Sequence, residues 1–247
     1  MAEKNTGNGD FDLIGRQTLE NISKAKRFNK WMYSQIRPYI KGAVLEIGSG
    51  IGNISRHIIE DGIDITLSEY NLEYCELLQK AFSKEPHVKG IFQVDLLLPD
   101  FTSHFAMLKE KFDTIILLNV IEHLENDSIA VANCSFMLKA GGHFIVLAPA
   151  YKWLYCKLDK ELGHYRRYSM KKIRSTIKNQ TFEIIARRHF NVFGISGWFI
   201  FGKIFRKKAL GREMRVFEFF VPLAKLLDKI CFNKIGLSII VTGKKIN

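Results

Sequence analysis

Cysteine is scarce in this sequence, and the four cysteines lie far apart. Cys75, Cys134, Cys156 and Cys231 are separated by 59, 22 and 75 residues, so no pair has the spacing of a zinc site. A reduced, cytosolic setting is the simplest interpretation of so few dispersed thiols. We expect all four to pack as small apolar side chains.

Long hydrophobic runs are also lacking. Residues 1–10 read MAEKNTGNGD, which is polar and has none of the apolar centre of a signal peptide, and we expect residues 1–15 to form a flexible lead. No segment offers the roughly 18 uncharged apolar residues of a transmembrane helix. Internal repeats and low-complexity tracts do not occur either. The 247 residues can bury one full core, which predicts a single domain over residues 1–247.

Acidic residues are few beyond residue 150. Residues 151–247 contain 22 lysines and arginines against six aspartates and glutamates, whereas residues 1–150 contain 15 against 19. Such asymmetry indicates an anionic partner surface or an anionic substrate. The alternative is a basic face that serves only solubility.

The most informative segment that is present is AVLEIGSGIGN, residues 43–53. An apolar run ends in Glu46, and Gly48, Gly50 and Gly52 follow at every second position. Glycines let the chain turn sharply after a strand and approach a ligand closely, and the next helix directs its unpaired N–H groups at an anion. Because Glu46 would repel a pyrophosphate, the loop suits a ligand with a cationic end. S-adenosylmethionine (SAM) carries an ammonium, a sulfonium and a carboxylate on one arm.

Four further apolar strand candidates follow, and three of them lead to a polar side chain. The candidates are residues 63–67, 90–94, 112–118 and 143–148. The first leads to Glu69, 21 residues beyond Gly48, which is where α/β nucleotide sites place a carboxylate for the ribose hydroxyls. The second and third lead to Asp95 and Asn119.

Helical patterns alternate with these strands. They cover roughly residues 51–60, 71–83, 103–110 and 126–138. Because the strands are too apolar to have a wet face, the pattern predicts an α/β fold with a parallel sheet covered by helices on both faces. Ligands collect at the carboxyl ends of such strands, so we expect Glu46, Glu69, Asp95 and Asn119 to converge there.

This ordered set resembles the class I SAM-dependent methyltransferases over about residues 28–190. LEIGSGIG at 45–52 and NVIEHL at 119–124 carry the likeness. The resemblance implies a Rossmann-like, seven-stranded, mostly parallel sheet in which strand 7 is antiparallel beside strand 6, and it implies SAM as the cofactor. A dinucleotide site is less favoured, because Asn53 stands where the third dinucleotide glycine would fall.

The resemblance also implies cofactor contacts. Gly48, Ser49 and Gly50 would wrap the methionine arm, Glu69 would bind the ribose hydroxyls, and Asn119 would line the methionine side near the sulfur. Asp95 would bind the adenine amino group beside the Leu96 backbone. The complete expected set is Glu46, Gly48, Ser49, Gly50, Gly52, Asn53, Glu69, Tyr70, Asp95, Leu96 and Asn119. Asn53 replaces a threonine that many relatives have, a mild change because both residues bond locally at a helix start.

The segment after the fifth strand is expected to meet the substrate, because in the resembled fold it crosses the mouth of the pocket. It contains APAYKWLY at 148–155 and LGHYRRYS at 162–169, and arginine suits bidentate binding of carboxylate or phosphate. The expected substrate contacts are Glu122, Tyr151, Tyr165, Arg166, Arg167 and Tyr168. One alternative is that an arginine pairs with Asp159 or Glu161 and fixes the loop in place. For Glu122, the alternative is that its charge only complements a helix dipole.

The GHYRRY loop after a VLAPA strand also resembles a bacterial group of class I methyltransferases that mostly lack assigned substrates. This likeness supports the fold and leaves the acceptor open.

An insertion separates the last two strand candidates, residues 181–189 and 237–243. Residues 191–236 are dense in aromatic residues and carry basic residues nearby, which predicts a helical insertion. It would pack on the sheet edge or a dimer partner, or it would form an interfacial helix or a lid for a greasy substrate. An interfacial helix would imply a cytoplasmic protein that contacts the inner face of the membrane. The remaining parts are an N-terminal helical segment (16–41), the SAM-binding core (42–190) and the last strand (237–247).

Methyl transfer is an in-line displacement, so the enzyme mainly aligns acceptor and donor and excludes water. A hydroxyl acceptor also has to lose its proton, and His123 and His164 are the candidate bases, with a site in which neither is catalytic as the alternative. The order Asn119-x-x-Glu122-His123 is similar to the metal site of small-RNA 2′-O-methyltransferases. Because Asn119 replaces one acid of that site, we expect no metal.

The expected function is therefore SAM-dependent methyl transfer to an anionic small-molecule or lipid-linked acceptor, with oxygen preferred over nitrogen. An RNA-modifying methyltransferase is one alternative, prompted by the basic half, although no recognisable RNA-binding module occurs. A non-catalytic SAM-fold binding protein is another, which the intact Glu46, Glu69 and Asp95 disfavour. A homodimer is also open.

Overall fold

A seven-stranded mixed sheet organises the chain in this computed structural model, which describes residues 8–178, 181–206 and 212–246. The strands are β1 (Val44–Ile47), β2 (Ile65–Glu69), β3 (Val88–Gln93), β4 (Phe112–Leu118), β5 (Leu138–Pro149), β6 (Phe182–Phe190) and β7 (Ser238–Lys245). The helices are α1 (Asn8–Ser23), α2 (Lys26–Ile36), α3 (Ser55–Glu60), α4 (Leu72–Phe82), α5 (Phe101–His104), α6 (Asp127–Met137), α7 (Lys157–Glu161), α8 (Met170–Lys178), α9 (Phe193–Trp198) and α10 (Arg212–Ile230).

The strand order is β3-β2-β1-β4-β5-β7-β6, and the first five strands are parallel. β7 runs antiparallel between β5 and β6. Glu46 on β1 pairs in register with Leu67 on β2 and Ile116 on β4, so the carboxyl ends of these strands share one edge. The predicted fold class is confirmed, including the antiparallel seventh strand.

Side chains alternate between the two faces along each strand, and both faces are buried in the central strands β1, β2 and β4. In β1, Leu45 and Ile47 belong to one apolar cluster and Val44 to the other. All four residues of β1 are buried, which explains why three of them are apolar and why the fourth, Glu46, lies in the interior.

Some element boundaries differ from the sequence-based expectation. Helix α3 begins only at Ser55, because residues 51–54 are needed for turns after the glycines. Strand β5 begins at Leu138, before the expected strand 143–148, because Leu138 already pairs with Phe112 of β4. Helix α1 begins at Asn8 and takes in much of the expected flexible lead; residues 1–7 of that lead lie outside the described residues.

The insertion between β6 and β7 is helical where it is described. A π-helical turn, Phe199–Ile204, continues α9, and α10 follows. The carboxylate of Glu218 on α10 accepts hydrogen bonds from the backbone N–H groups of Arg27 and Phe28 at the start of α2. Thus α10 supplies the N-terminal cap of a helix that lies almost 200 residues earlier in the sequence.

The base of the insertion is also fixed. Asp228 of α10 accepts hydrogen bonds of 2.7 Å from the N–H groups of Asn191 and Val192, just before α9. Among the described helices, none combines the length and the hydrophobicity that crossing a bilayer requires.

Candidate active site

The loop after β1 is a tight turn that depends on its three glycines. Gly48, Gly50 and Gly52 have φ angles of 71°, 56° and 81°, in the left-handed region that favours glycine. A Cβ at Gly48 would overlap the side chain of Val120, and one at Gly52 would overlap the ring of Phe82. The sequence motif therefore has a steric cause at each position.

Glu69 at the end of β2 binds this loop directly. Its Oε2 accepts the Gly50 N–H at 2.9 Å, and its Oε1 accepts the Tyr70 N–H at 2.8 Å. The Glu69 carbonyl accepts the N–H of Val94, one residue before Asp95. Glu69 thus joins the tips of β1, β2 and β3, and its side chain remains partly exposed.

Asp95 and Asn119 extend the same edge on either side. Asp95 Oδ1 accepts the Leu97 N–H at 2.8 Å, and the carbonyl of the buried Leu96 accepts Asn133 Nδ2 at 2.9 Å. Asn119 is exposed, with a left-handed φ of 55°, and it directly precedes Val120, the residue that packs against Gly48. The four predicted strand tips therefore form one continuous rim.

Glu46 lies beneath this rim. Its carboxylate is buried and accepts a hydrogen bond from Ser55 Oγ at the start of α3. Burial raises the pKa of Glu46 to about 7, although the bonds from Ser55 and Ser49 oppose the rise. A cationic ligand above the loop would favour the charged form of Glu46.

Helix α1 covers part of the glycine loop, and sequence reasoning missed this. A Cβ at Gly50 would lie 3.2 Å from a methyl carbon of Leu19, and the Leu19 carbonyl accepts the Asn53 side-chain amide at 3.3 Å. The expected cofactor residue Asn53 thus holds α1 over the loop.

A second cluster lies just beyond Asn119. The 3₁₀ turn Ile121–His123 carries Glu122 and His123, and His164 reaches them from the 162–169 loop. The His123 and His164 rings are 4.7 Å apart at their centroids and nearly perpendicular. One donor atom each from Glu122, His123 and His164 lies within 4.8 Å of the others.

Burial sets the protonation of this cluster. Glu122 is fully buried, which raises its pKa to about 7. Desolvation by the surrounding protein lowers the pKa of His123 to about 4, and the nearby His164 contributes less to this shift. His123 is nevertheless exposed on one side, so water reduces this effect in the open site.

Asp159 of α7, which is completely buried, holds the surroundings of the cluster together. It lies 3.0 Å from Nδ1 of His164 and accepts Arg167 Nε at 2.7 Å and Trp198 Nε1 at 3.3 Å. The Arg167 guanidinium stacks over the Trp198 ring at 4.5 Å. Asp159 therefore connects α7, the 162–169 loop and α9.

The rim offers the hydrogen-bonding groups that SAM requires. These are backbone N–H groups around a glycine turn, a carboxylate for the ribose hydroxyls, and Asp95 as an acceptor for an amino group. Residues 45–144 match a family model described as a methyltransferase domain. This match identifies a methyltransferase domain, and SAM is the cofactor that the rim fits. No curated protein matches the sequence.

Solved structures of similar fold agree. A SAM-dependent methyltransferase from Archaeoglobus fulgidus is 14% identical, with a TM-score of 0.57 over 88% of this chain and 94% of that one. A chain from the complex of the Haloferax volcanii Trm112 methyltransferase activator with a methyltransferase is 12% identical, with a TM-score of 0.66 over 98% and 100%. Phosphoethanolamine N-methyltransferase 2 of Haemonchus contortus, solved with SAM, is 13% identical, with a TM-score of 0.57 over 89% and 52%. At these identities the likeness shows the fold alone.

Two of the expected substrate contacts of this methyltransferase are wrong. Arg167 is buried in its ion pair with Asp159, as in the alternative in which an arginine pins the loop. Tyr168 is fully buried, and its hydroxyl lies 3.2 Å from both the Ile121 carbonyl and Asp127 Oδ2. Both side chains anchor the 162–169 loop to the protein interior, so neither is available to a substrate.

Of the other four expected contacts, Glu122 is fully buried within the cluster, whereas Tyr151, Tyr165 and Arg166 remain near the surface of the methyltransferase. Tyr165 is 57% exposed, and Arg166 is half-buried, with Nη2 donating to the Glu125 carbonyl at 2.7 Å. Tyr151 has a strained left-handed φ of 63°, and its ring stacks on His189. These three side chains stay available to an acceptor.

The cysteines of the methyltransferase are all free thiols. Cys134 is buried in the core as expected, whereas Cys75, Cys156 and Cys231 are only partly buried.

Proposed function

We propose that this methyltransferase transfers a methyl group to a hydroxyl or carboxyl oxygen of an anionic acceptor, either a small molecule or a lipid-linked one. Bound SAM supplies a methyl group that its sulfonium activates for displacement. The chain has to place the acceptor oxygen in line with that methyl group, exclude water, and accept or stabilise the charge left when a hydroxyl loses its proton.

The observation that carries the proposal is the cluster of Glu122, His123 and His164 directly beyond Asn119. Asn119 is the rim residue expected nearest the reacting sulfur, so an acceptor there would meet the cluster. Asp159 holds the His164 ring in one orientation, so that the ring meets each acceptor in the same way. An amine acceptor would need these residues less, because an alkylammonium loses its proton far more readily than an alcohol hydroxyl does.

Positive charge supports an anionic acceptor. Arg166 lies beside the exposed Tyr165, with its guanidinium carbon 5.7 Å from the ring centroid. A solved neighbour, the Haemonchus contortus enzyme, was crystallised with phosphomonomethylethanolamine and S-adenosylhomocysteine. This fold therefore accommodates phosphate-bearing acceptors in at least one member.

A lipid-linked acceptor is supported by the exposed face of α10. Phe219, Leu223, Leu226 and Ile230 are spaced for one helix face, and they are 74%, 44%, 53% and 60% exposed. Val221, Ala224 and Asp228 point the other way, into the protein. Lysines flank the apolar face at positions 225, 229 and 234 and are exposed.

An apolar face with flanking lysines suits the surface of an anionic bilayer. We therefore propose that the protein acts at the cytoplasmic face of the membrane, with α10 as its contact. A second copy of the chain on the same face is the competing occupant, and size-exclusion chromatography distinguishes the two.

The testing experiment supplies the purified protein with methyl-tritiated SAM and fractionated cell extract. We expect label in acidic small molecules or anionic lipids that an anion-exchange resin retains. Alkaline hydrolysis then tells an ester from an ether or an N-methyl group. Label in RNA, or stable N-methyl label, would overturn the proposal.

A further inference from the structure

The Glu122 carboxylate has no hydrogen-bond partner among the described residues. Both of its oxygens are buried, and neither accepts a hydrogen bond. A buried carboxylate in this condition costs free energy unless a cation or a donor completes it. The nearest donor atoms of other side chains in the cluster belong to His123 and His164.

One of the two imidazoles is held by a hydrogen bond from one nitrogen. His164 Nδ1 lies 3.0 Å from Oδ1 of Asp159. The Nδ1 side of the His123 ring faces Gly163, since a Cβ on that glycine would lie 3.7 Å from His123 Nδ1. Histidines that bind metals are fixed in the same way, with one N–H on a carboxylate or a carbonyl and the other nitrogen on the ion.

We propose that Glu122, His123 and His164 bind a divalent first-row transition metal ion, for which Zn²⁺ is the probe, and that this ion holds the acceptor oxygen. The inference rests on the proposed function, since it gives the means by which a hydroxyl acceptor is activated. Two imidazoles and one carboxylate suit Zn²⁺ or Mn²⁺, whereas Ca²⁺ and Mg²⁺ prefer oxygen ligands.

Three protein ligands leave a coordination position open, which is typical of a catalytic metal site. His123 is exposed, so an acceptor can reach the cluster from solvent. A bound ion would make an acceptor hydroxyl lose its proton to solvent more readily, as it does for metal-bound water. The acceptor oxygen would then form its bond to the methyl carbon while the carbon–sulfur bond breaks, with the electron pair of that bond left on sulfur.

The expectation of no metal rested on Asn119, which replaces one acid of the similar metal site. The fold brings His164 to Glu122 and His123, so three ligands are present without that acid. His164 lies 41 residues beyond His123 in the sequence, and only the path of the 162–169 loop brings it to the cluster.

The test is calorimetric titration of the chelator-treated protein with Zn²⁺ alone, followed by diffraction at the zinc absorption edge. We expect one Zn²⁺ per chain at the cluster, and at least a tenfold weaker affinity in Glu122→Gln and in His123→Asn. His104→Gln, which changes an exposed histidine on α5, is the matched control and should bind as the wild type does. Equal affinity in all variants, or zinc found only at cysteines, would overturn the inference.

Two outcomes separate this inference from the proposed function. If methyl transfer to an anionic acceptor persists in a strong chelator, the metal assignment fails and the proposed function stands. If Zn²⁺ binds at the cluster but the label goes to RNA or nitrogen, the proposed function fails and the metal site stands. His123→Asn keeps the test decisive should Glu122→Gln fail to fold, because His123 is exposed and the loss of its ring leaves no cavity.

Discussion

Glu69 accepts the backbone N–H of Gly50 at 2.9 Å, so the Glu69 side chain and the glycine loop hold one another in place. We expect Glu69→Gln to weaken SAM binding by about 1.5–3 kcal/mol, because hydrogen bonds to a charged group are lost from both loop and ligand. Isothermal titration with SAM measures the loss. Glu76→Gln changes an exposed acid on α4 and should leave the affinity as it is. Equal affinity in both variants would remove Glu69 from the cofactor site.

Gly52→Ala should destabilise the fold by at least about 1 kcal/mol. The position has a φ of 81°, and the new methyl group would overlap the Phe82 ring. Gly197→Ala is the matched control, because a Cβ there meets no atom within 4 Å and α9 gains a better helix former. Urea unfolding of the two variants compares these effects, and an equal change in both would contradict the steric account of the loop.

Glu46 should make the protein less stable as the pH rises. Its pKa in the folded state is raised to about 7 from 4.5, so the folded form binds the proton more tightly than the unfolded form. The free energy of unfolding should therefore fall between pH 4.5 and pH 7 and level off above, by up to about 3 kcal/mol from this group. In Glu46→Gln that part of the pH profile should disappear. Parallel urea-unfolding profiles for the two proteins would refute the assignment.

Two neighbouring arginines should respond very differently to substitution. Arg167 pairs with Asp159 in the interior, so Arg167→Ala removes the permanent positive charge beside a buried acid and should cost about 3–5 kcal/mol, although the contacts of Asp159 with His164 and Trp198 remain. Arg166 is half-buried and bonds a backbone carbonyl, so Arg166→Ala should cost under about 1 kcal/mol. Thermal unfolding ranks the two variants, and the reverse order would mean that the interior ion pair contributes little.

The α10 face should bind anionic membranes. We expect the double variant Phe219→Ser, Leu223→Ser to lose most co-sedimentation with vesicles that contain phosphatidylglycerol, because both side chains are exposed and apolar. Met107→Ser, at an exposed apolar residue elsewhere, serves as the control. Binding to neutral vesicles should be weaker and insensitive to salt. If the wild type ignores vesicles and elutes as a dimer, the face belongs to a second copy.

The sheet and the glycine loop were predictable because their signals are local. β4 has the bounds that its apolar run gave, 112–118, and the three glycines each have the positive φ that their spacing implied. Residues at strand tips could be placed together without coordinates, since parallel strands bring their carboxyl ends to one edge.

The acceptor side was less predictable, because loop paths decide it. Tyr168 and Tyr165 look alike in the sequence, yet one is fully buried and the other is 57% exposed. Asp159 was considered only as an arginine partner, and its contacts with His164 and Trp198 depend on where α9 packs. The cover that α1 forms over Gly50 was missed although Leu19 lies in the expected helical segment, because only tertiary packing decides where that helix lies.

β6 joins the sheet only through β7, which is inserted between it and β5. During synthesis, β5 and β6 leave the ribosome long before the strand that links them. Until Ser238–Lys245 emerges, β5 keeps an open edge of the kind that pairs with other chains. A nascent chain that stalls before this last strand should therefore need chaperone protection against aggregation.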